Sequence, residues 1–134
     1  NSIEIISKAC PLFVPLVEEG WWENDIAFRV AEEYLCPMKE EGIDTLVMGC
    51  THYPLLQKTI SRVMGDKVKL VSSALEAARA VKNVIMEKGI ERDEKLNPVY
   101  RYYTSDSVEK FKSLGSIILD RKIDFAEKID IEKY

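Results

Sequence analysis

An α/β fold, with a doubly wound, mainly parallel sheet and flanking helices, is predicted by three observations. Short β-branched or apolar runs alternate with segments of helical period. Two of those runs, residues 44–49 and 68–71, lead directly into helix start signals. The chain of 134 residues, 46% hydrophobic and 31% charged, is also long enough to bury roughly two-thirds of its unfolded surface without a disulfide or metal staple. Strand and helix alternation of this kind implies right-handed crossovers and therefore parallel pairing.

The elements follow in chain order. Residues 3–7 form a β-rich run, and Cys10-Pro11-Leu12-Phe13-Val14-Pro15 reads as a proline-broken loop. Asn24 or Asp25 caps a helix whose apolar positions Ile26, Val30, Tyr34 and Leu35 keep helical spacing; Pro37 is expected to break or kink it near Cys36, and Gly42 to end it. Residues 44–49 read as a strand buried on both faces. Cys50-Thr51-His52-Tyr53 is then a strand-to-helix turn, with Pro54 at the first helical position and Leu55, Leu56, Ile60 and Val63 as the buried stripe of a helix to about Met64.

A strand at residues 68–71 precedes Ser73-Ala74-Leu75-Glu76, whose Ser-x-x-Glu form is that of a capping box opening a helix to Gly89. A polar loop containing Asn97-Pro98 follows. Residues 99–103 alternate like a strand, Asp106-x-x-Glu109 caps a short helix to Gly115, and residues 117–119 and 129–131 are weaker β-like runs. No repeat or low-complexity segment interrupts the pattern.

Composition excludes several functions. The 19 Lys+Arg and 23 Asp+Glu residues are mixed along the chain, so no basic stripe is available for a phosphate backbone and nucleic-acid binding is disfavoured. Apolar runs fall short of the ~18 residues of a spanning helix, so no membrane anchor is expected. Three widely spaced cysteines, Cys10, Cys36 and Cys50, suit free thiols in a reducing cytoplasm better than a disulfide framework. The chain opens at Asn1 without a methionine, which reads as the interior of a gene.

Chemistry concentrates where a parallel sheet places it, at the carboxyl ends of strands. Residues 49–52 and 72–73 are both expected there. Cys50 follows a buried strand and precedes a helix start, so backbone N–H groups and the helix dipole should favour its thiolate. His52, the one histidine, lies two residues on, and in extended geometry the two side chains point the same way, giving a thiol and imidazole suited to acid–base work. The alternative is a packed cysteine and a structural histidine. Zinc is disfavoured because no Cys-x(2–4)-Cys pair exists and Cys36 lies in a helical pattern. Glu18-Glu19 follow the proline-rich loop on the same rim; one of these carboxylates could bond His52 and fix its tautomer, or both could be solvated surface ahead of Gly20. Cys10 and Cys36, each followed by proline, read as structural, and Ser72 and Ser73 as caps.

Gly49-Cys50-Thr51-His52-Tyr53-Pro54-Leu55-Leu56 resembles the second-cysteine motif of glutamate racemases. Ala9-Cys10-Pro11-Leu12-Phe13-Val14-Pro15-Leu16-Val17-Glu18-Glu19-Gly20 and Lys39-Glu40-Glu41-Gly42-Ile43-Asp44-Thr45-Leu46 fit the same family in the same order. The resemblance covers nearly the whole chain, more loosely after Asn97. It implies cofactor-independent interconversion of L- and D-glutamate, the D form supplying peptidoglycan, by two cysteines on opposite faces of the α-carbon. By the match Cys50 is the second of these, His52 and Glu18 assist it, and Thr51 contacts the amino-acid head group of the glutamate substrate.

The family's first cysteine belongs to an amino-terminal lobe that these residues do not contain. The resemblance therefore implies a partial lobe of a two-lobed racemase. Residues 1–98 would form most of the second lobe, and residues 99–134 a strand-helix segment that packs back on the amino-terminal lobe. Racemisation by this chain alone is not expected, and an open sheet edge makes a homodimer a candidate assembly. An aspartate racemase of the same superfamily and a non-catalytic or zinc-binding module are the competing readings.

Overall fold

The structure, a computed structural model, describes residues 2–92 and 97–133. It divides into two compact units, Asn1–Gly89 and Ile90–Tyr134. In the first, α1 (Phe13–Glu18) and α2 (Asp25–Glu40) precede β1 (Thr45–Met48); a 3₁₀ turn (Tyr53–Leu56) runs into α3 (Gln57–Met64), and β2 (Lys69–Ser72) leads into α4 (Ser73–Lys88). β1 and β2 pair in parallel with Leu46 opposite Leu70 and Met48 opposite Ser72, so the α/β class with parallel strands is what forms.

The core lies between the helices and one face of β1. Phe13, Leu16 and Val17 of α1, Ala27, Ala31, Leu35 and Met38 of α2, Leu46 and Met48 of β1, and Leu56, Ile60, Val63 and Met64 form one buried cluster. Asn24 caps α2 by accepting the Ala27 N–H at 2.9 Å, as its position before an apolar-periodic run predicts. The far ends of α2 and α3 are tied by Lys39, whose ammonium donates to the Val63 carbonyl at 2.9 Å.

Several elements differ from expectation, each for a physical reason. Residues 3–7 form no strand: Ile3 and Ile5 are 86% and 85% exposed, so neither a ladder nor an apolar cover rewards their alternation. The supposed loop around Pro15 contains α1 instead. Pro15 is the third residue of that helix, where the N–H has no intrahelical acceptor and its absence costs nothing. Helix α2 runs through Pro37 as one element, with Leu35 and Met38 buried on either side of it. β1 is buried on one face rather than both, since Val47 is 60% exposed.

The α4 cap also moves by one residue. Ser72, not Ser73, accepts the Leu75 N–H, while Glu76 pairs with Arg79 at 2.6 Å. Gly89, in the left-handed conformation at φ 59°, closes the helix as expected.

In the second unit, β3 (Tyr103–Thr104) pairs in parallel with β4 (Glu127–Lys128), and α5 (Val108–Ile118) stands between them in sequence. Part of the polar loop expected before Asn97-Pro98 lies outside the described residues. Ser107 rather than Asp106 caps α5, accepting the Lys110 N–H at 3.2 Å. The helix passes through Gly115 rather than ending there, and the glycine makes room for Ile123: a Cβ at this position would stand 2.9 Å from the Ile123 Cδ1 atom. Residues 117 and 118 are accordingly helical, and the last β-like run gives way to a 3₁₀ turn at Ile131–Lys133.

Candidate active site at the end of β1

The first link is the strand end. Met48 is the last residue of β1 and almost fully buried; Gly49 follows, and Cys50 is the first residue with a side chain free to leave the sheet. Two backbone bonds then close the turn, Tyr53 N–H to the Cys50 carbonyl at 3.2 Å and Leu55 N–H to the His52 carbonyl at 3.1 Å. The helical segment they start is a four-residue 3₁₀ turn, and the α-helix proper begins at Gln57. The dipole expected to act on Cys50 is correspondingly smaller, because a short 3₁₀ segment aligns fewer peptide units.

The turn places Cys50 Sγ 3.8 Å from His52 Nδ1, with the Thr51 hydroxyl 3.4 Å from the same nitrogen. On the other side of the ring, His52 Nε2 faces Glu18 Oε1 at 3.8 Å. All four candidate residues thus meet in one line of thiol, imidazole and carboxylate, with Thr51 at its edge. The imidazole and the carboxylate are both partly solvated, His52 at 33% and Glu18 at 44% exposure.

Glu18 reaches this line because of how α1 ends. Gly20 adopts φ 75°, its N–H bonds the Val17 carbonyl at 3.0 Å, and the Trp21 N–H bonds the Leu16 carbonyl at 2.8 Å. This paired closure is a Schellman motif, which fixes the last helical turn and Glu18 with it. The Trp22 indole N–H adds a bond to the Val17 carbonyl at 2.9 Å. The glycine after Glu18-Glu19 therefore fixes the backbone from which the Glu18 carboxylate reaches His52.

The arrangement has a definite acid–base logic. A carboxylate facing Nε2 favours the tautomer protonated there, which leaves the Nδ1 lone pair toward the thiol. The Cys50 S–H can then donate to Nδ1 and pass its proton to the ring. Carboxylate, imidazole and thiol in this order form an oriented base of the kind that activates a sulfur.

Two neighbours have supporting roles that sequence reading did not identify. Ser73, read as a cap, donates its hydroxyl to the Met48 carbonyl at 2.8 Å. Tyr53 packs edge-on against Phe13 with centroids 5.2 Å apart and donates its hydroxyl to the Cys10 carbonyl at 3.5 Å. Burial and the nearby Cys10 and Cys50 sulfurs raise the Tyr53 pKa, so the phenol stays a donor. Cys10 is buried, and that burial raises its thiol pKa. Among the described residues no three His, Cys, Asp or Glu side chains gather as a metal-holding group, and no helix is long and apolar enough to cross a membrane.

A strand-end thiol and imidazole on a parallel α/β scaffold define an acid–base class of site, and comparison with known proteins gives the proteins that the chain as a whole is similar to. No family model matches the chain. The chain is homologous to glutamate racemases over nearly all its length: it is 41% identical over 130 residues to that of Geobacter metallireducens, and 42% identical over 125 residues to that of Neisseria meningitidis. These matches cover 97% and 93% of the chain but 48% and 46% of the relatives. The glutamate racemase of Francisella tularensis, solved with D-glutamate, superposes with a TM-score of 0.85 at 34% identity, covering 98% of this chain and 49% of that one. RacE1 of Bacillus anthracis, a glutamate racemase isoform, gives a TM-score of 0.86 at 34% identity over 96% of this chain and 48% of its own. The chain spans about half the length of the curated relatives it matches, and what it matches is their carboxy-terminal portion.

Proposed function

We propose that this chain carries one of the two bases of a cofactor-independent glutamate racemase. The observation that supports this most directly is the line from Glu18 through His52 to Cys50 at the carboxyl end of β1, in a chain homologous to enzymes of that activity. Cys50, as the thiolate, takes the α-proton of L-glutamate and becomes the thiol; the resulting carbanion accepts a proton on its opposite face from a second acid and becomes D-glutamate. His52 holds the proton that leaves Cys50, Glu18 orients His52, and the Thr51 hydroxyl bonds the substrate head group. No oxidant, metal or cofactor enters this balance.

The second acid belongs to the other half of the protein. The open face of β1 at Val47 and the exposed apolar side chains of residues 99–134 support a partner lobe as their cover. Residues 1–98 are most of one lobe in this reading, and residues 99–134 pack back on the other. Its place is the cytoplasm, where D-glutamate is drawn into peptidoglycan.

The test is α-hydrogen exchange of L- and D-glutamate in D₂O, read by NMR and chiral analysis, with this chain alone and then with the complementary half. Exchange and racemisation should appear only in the mixture. Cys50→Ala should reduce racemisation by roughly 10³-fold or more, His52→Ala by roughly 10²-fold and Glu18→Gln by about tenfold. Unchanged racemisation in the Cys50→Ala mixture would remove the assignment.

A further inference from the structure

We propose that Ser73 is a positioning residue for Cys50, acting through the hydrogen bond from its hydroxyl to the Met48 carbonyl. The inference deepens the reading of Cys50 as a base and rests on it. Its origin lies in the sheet. Met48 pairs with Ser72, the last residue of β2, and the chain turns into α4 at the very next position. A parallel ladder would satisfy the Met48 carbonyl with an N–H from one residue further along the partner strand. That N–H belongs to Ser73, the first residue of α4, and the Ser73 hydroxyl donates to the same carbonyl at 2.8 Å, so the last rung of the ladder is also held by a side chain.

The bond falls two residues before Cys50. Between them stands only Gly49, which has no side chain of its own to anchor the chain there. The Ser73 bond bears on where the turn carrying Cys50 and His52, 3.8 Å apart, departs from β1, and so on where the thiol stands at the strand end. The division of labour between adjacent serines follows. Ser72 satisfies the helix by accepting the Leu75 N–H, while Ser73 donates to the strand. A substrate contact that used the Ser73 proton would have to compete with that bond.

The isosteric pair Ser73→Thr and Ser73→Val tests this, because both add the same branch and differ in one hydroxyl. In the full chain, alkylation of Cys50 by iodoacetamide, quantified at its own peptide across pH 6–9, should be unchanged within about twofold for Ser73→Thr. It should slow by roughly three- to tenfold for Ser73→Val. In the racemising mixture, Ser73→Val should lower kcat by about tenfold with KM within about twofold, and Ser73→Thr should restore it. Equal behaviour of the two variants would overturn the inference. So would a rise in KM with kcat unchanged, which would make the hydroxyl a substrate contact. Loss of the racemase reading is distinguishable: racemisation would then survive Cys50→Ala, whereas alkylation still reports whether Ser73 positions the thiol.

Discussion

The two units of this chain reach similar secondary structure by different means. In the first, Phe13, Val17, Leu56, Ile60 and Met64 are nearly inaccessible, and the helices are held by what they bury. In the second, Ile123 and Ala126 are the buried apolar side chains among the described residues, while Val99, Phe125 and Ile131 are 82%, 72% and 65% exposed. Its order is written locally. Ser107 caps α5, and Ser116 bridges, donating to the Lys112 carbonyl at 2.6 Å and accepting the Ile123 N–H at 2.9 Å. Tyr102 bonds Arg121, whose guanidinium lies 3.8 Å above the Tyr100 ring. Local bonds define a shape, but burial supplies most of the free energy that holds one. All four candidate site residues stand on the unit with the deeper core, which is where a geometry of fixed distances can be maintained.

The largest expected difference tests that contrast directly. Ile60→Ala should destabilise the first unit by about 3 kcal/mol, through lost transfer energy and the cavity left in the buried cluster it belongs to. Hydrogen exchange should report it as a loss of protection in α2 and α3. Ile123→Ala should instead erase protection in α5 while leaving the α2 amides unchanged, because one of two buried apolar contacts is gone. Equal loss of protection in both units from either substitution would break the comparison.

A smaller effect concerns pH. Burial raises the Cys10 pKa above its unfolded value, so the folded state favours the neutral thiol. A group raised in this way contributes stability that is complete below its unfolded pKa, about 8.5, and is lost as pH climbs toward the folded value. The first unit's melting temperature should therefore fall between pH 8 and 10. In Cys10→Ala that decline should flatten, because the loss due to Tyr53, whose pKa is raised from the ordinary phenol value of about 10, begins only above that pH. A slope equal to that of the parent chain would show that Cys10 does not titrate as a buried group.

What the sequence discloses follows the same division. Asn24, Gly89 and the turn at Cys50 were legible because each signal acts on its immediate neighbours. The proximity of Cys50 and His52 follows from a spacing of two residues through a tight turn. Glu18 was ambiguous, because its approach to His52 depends on α1 docking and on the Gly20 closure, neither of which has a signal at residue 18 itself. Helix α1 was hidden by Pro15, since proline at a third helical position and proline in a loop look alike in one dimension. Ser73 was hidden because two adjacent serines before a helix carry the same local signal, and only the register of β1 with β2 shows which one faces a carbonyl. Gly115 was misleading for the complementary reason: it serves a contact with Ile123, which no local pattern encodes.

The smallest effect turns on a closure the two units share. Helix α5 ends as α1 does, with the Asp120 N–H bonding the Ile117 carbonyl at 3.2 Å and the Arg121 N–H bonding the Ser116 carbonyl at 3.1 Å. The residue forced into the left-handed region is Asp120 at φ 46°, where α1 uses Gly20 at φ 75°. An L side chain pays about 1–2 kcal/mol there, and an anion at a helix carboxyl end adds a small repulsion from the dipole. Glycine would return roughly 0.5–1 kcal/mol of that to the entropy of the unfolded chain. Asp120→Gly should then stabilise α5 by about 0.5–1 kcal/mol, seen as a two- to fivefold gain in amide protection near residues 116–121. Gly20→Asp should do the reverse in the first unit and, by loosening the turn that holds Glu18, lower racemisation with it. Stabilisation without that asymmetry would mean that α5 is already held by contacts other than its own closure.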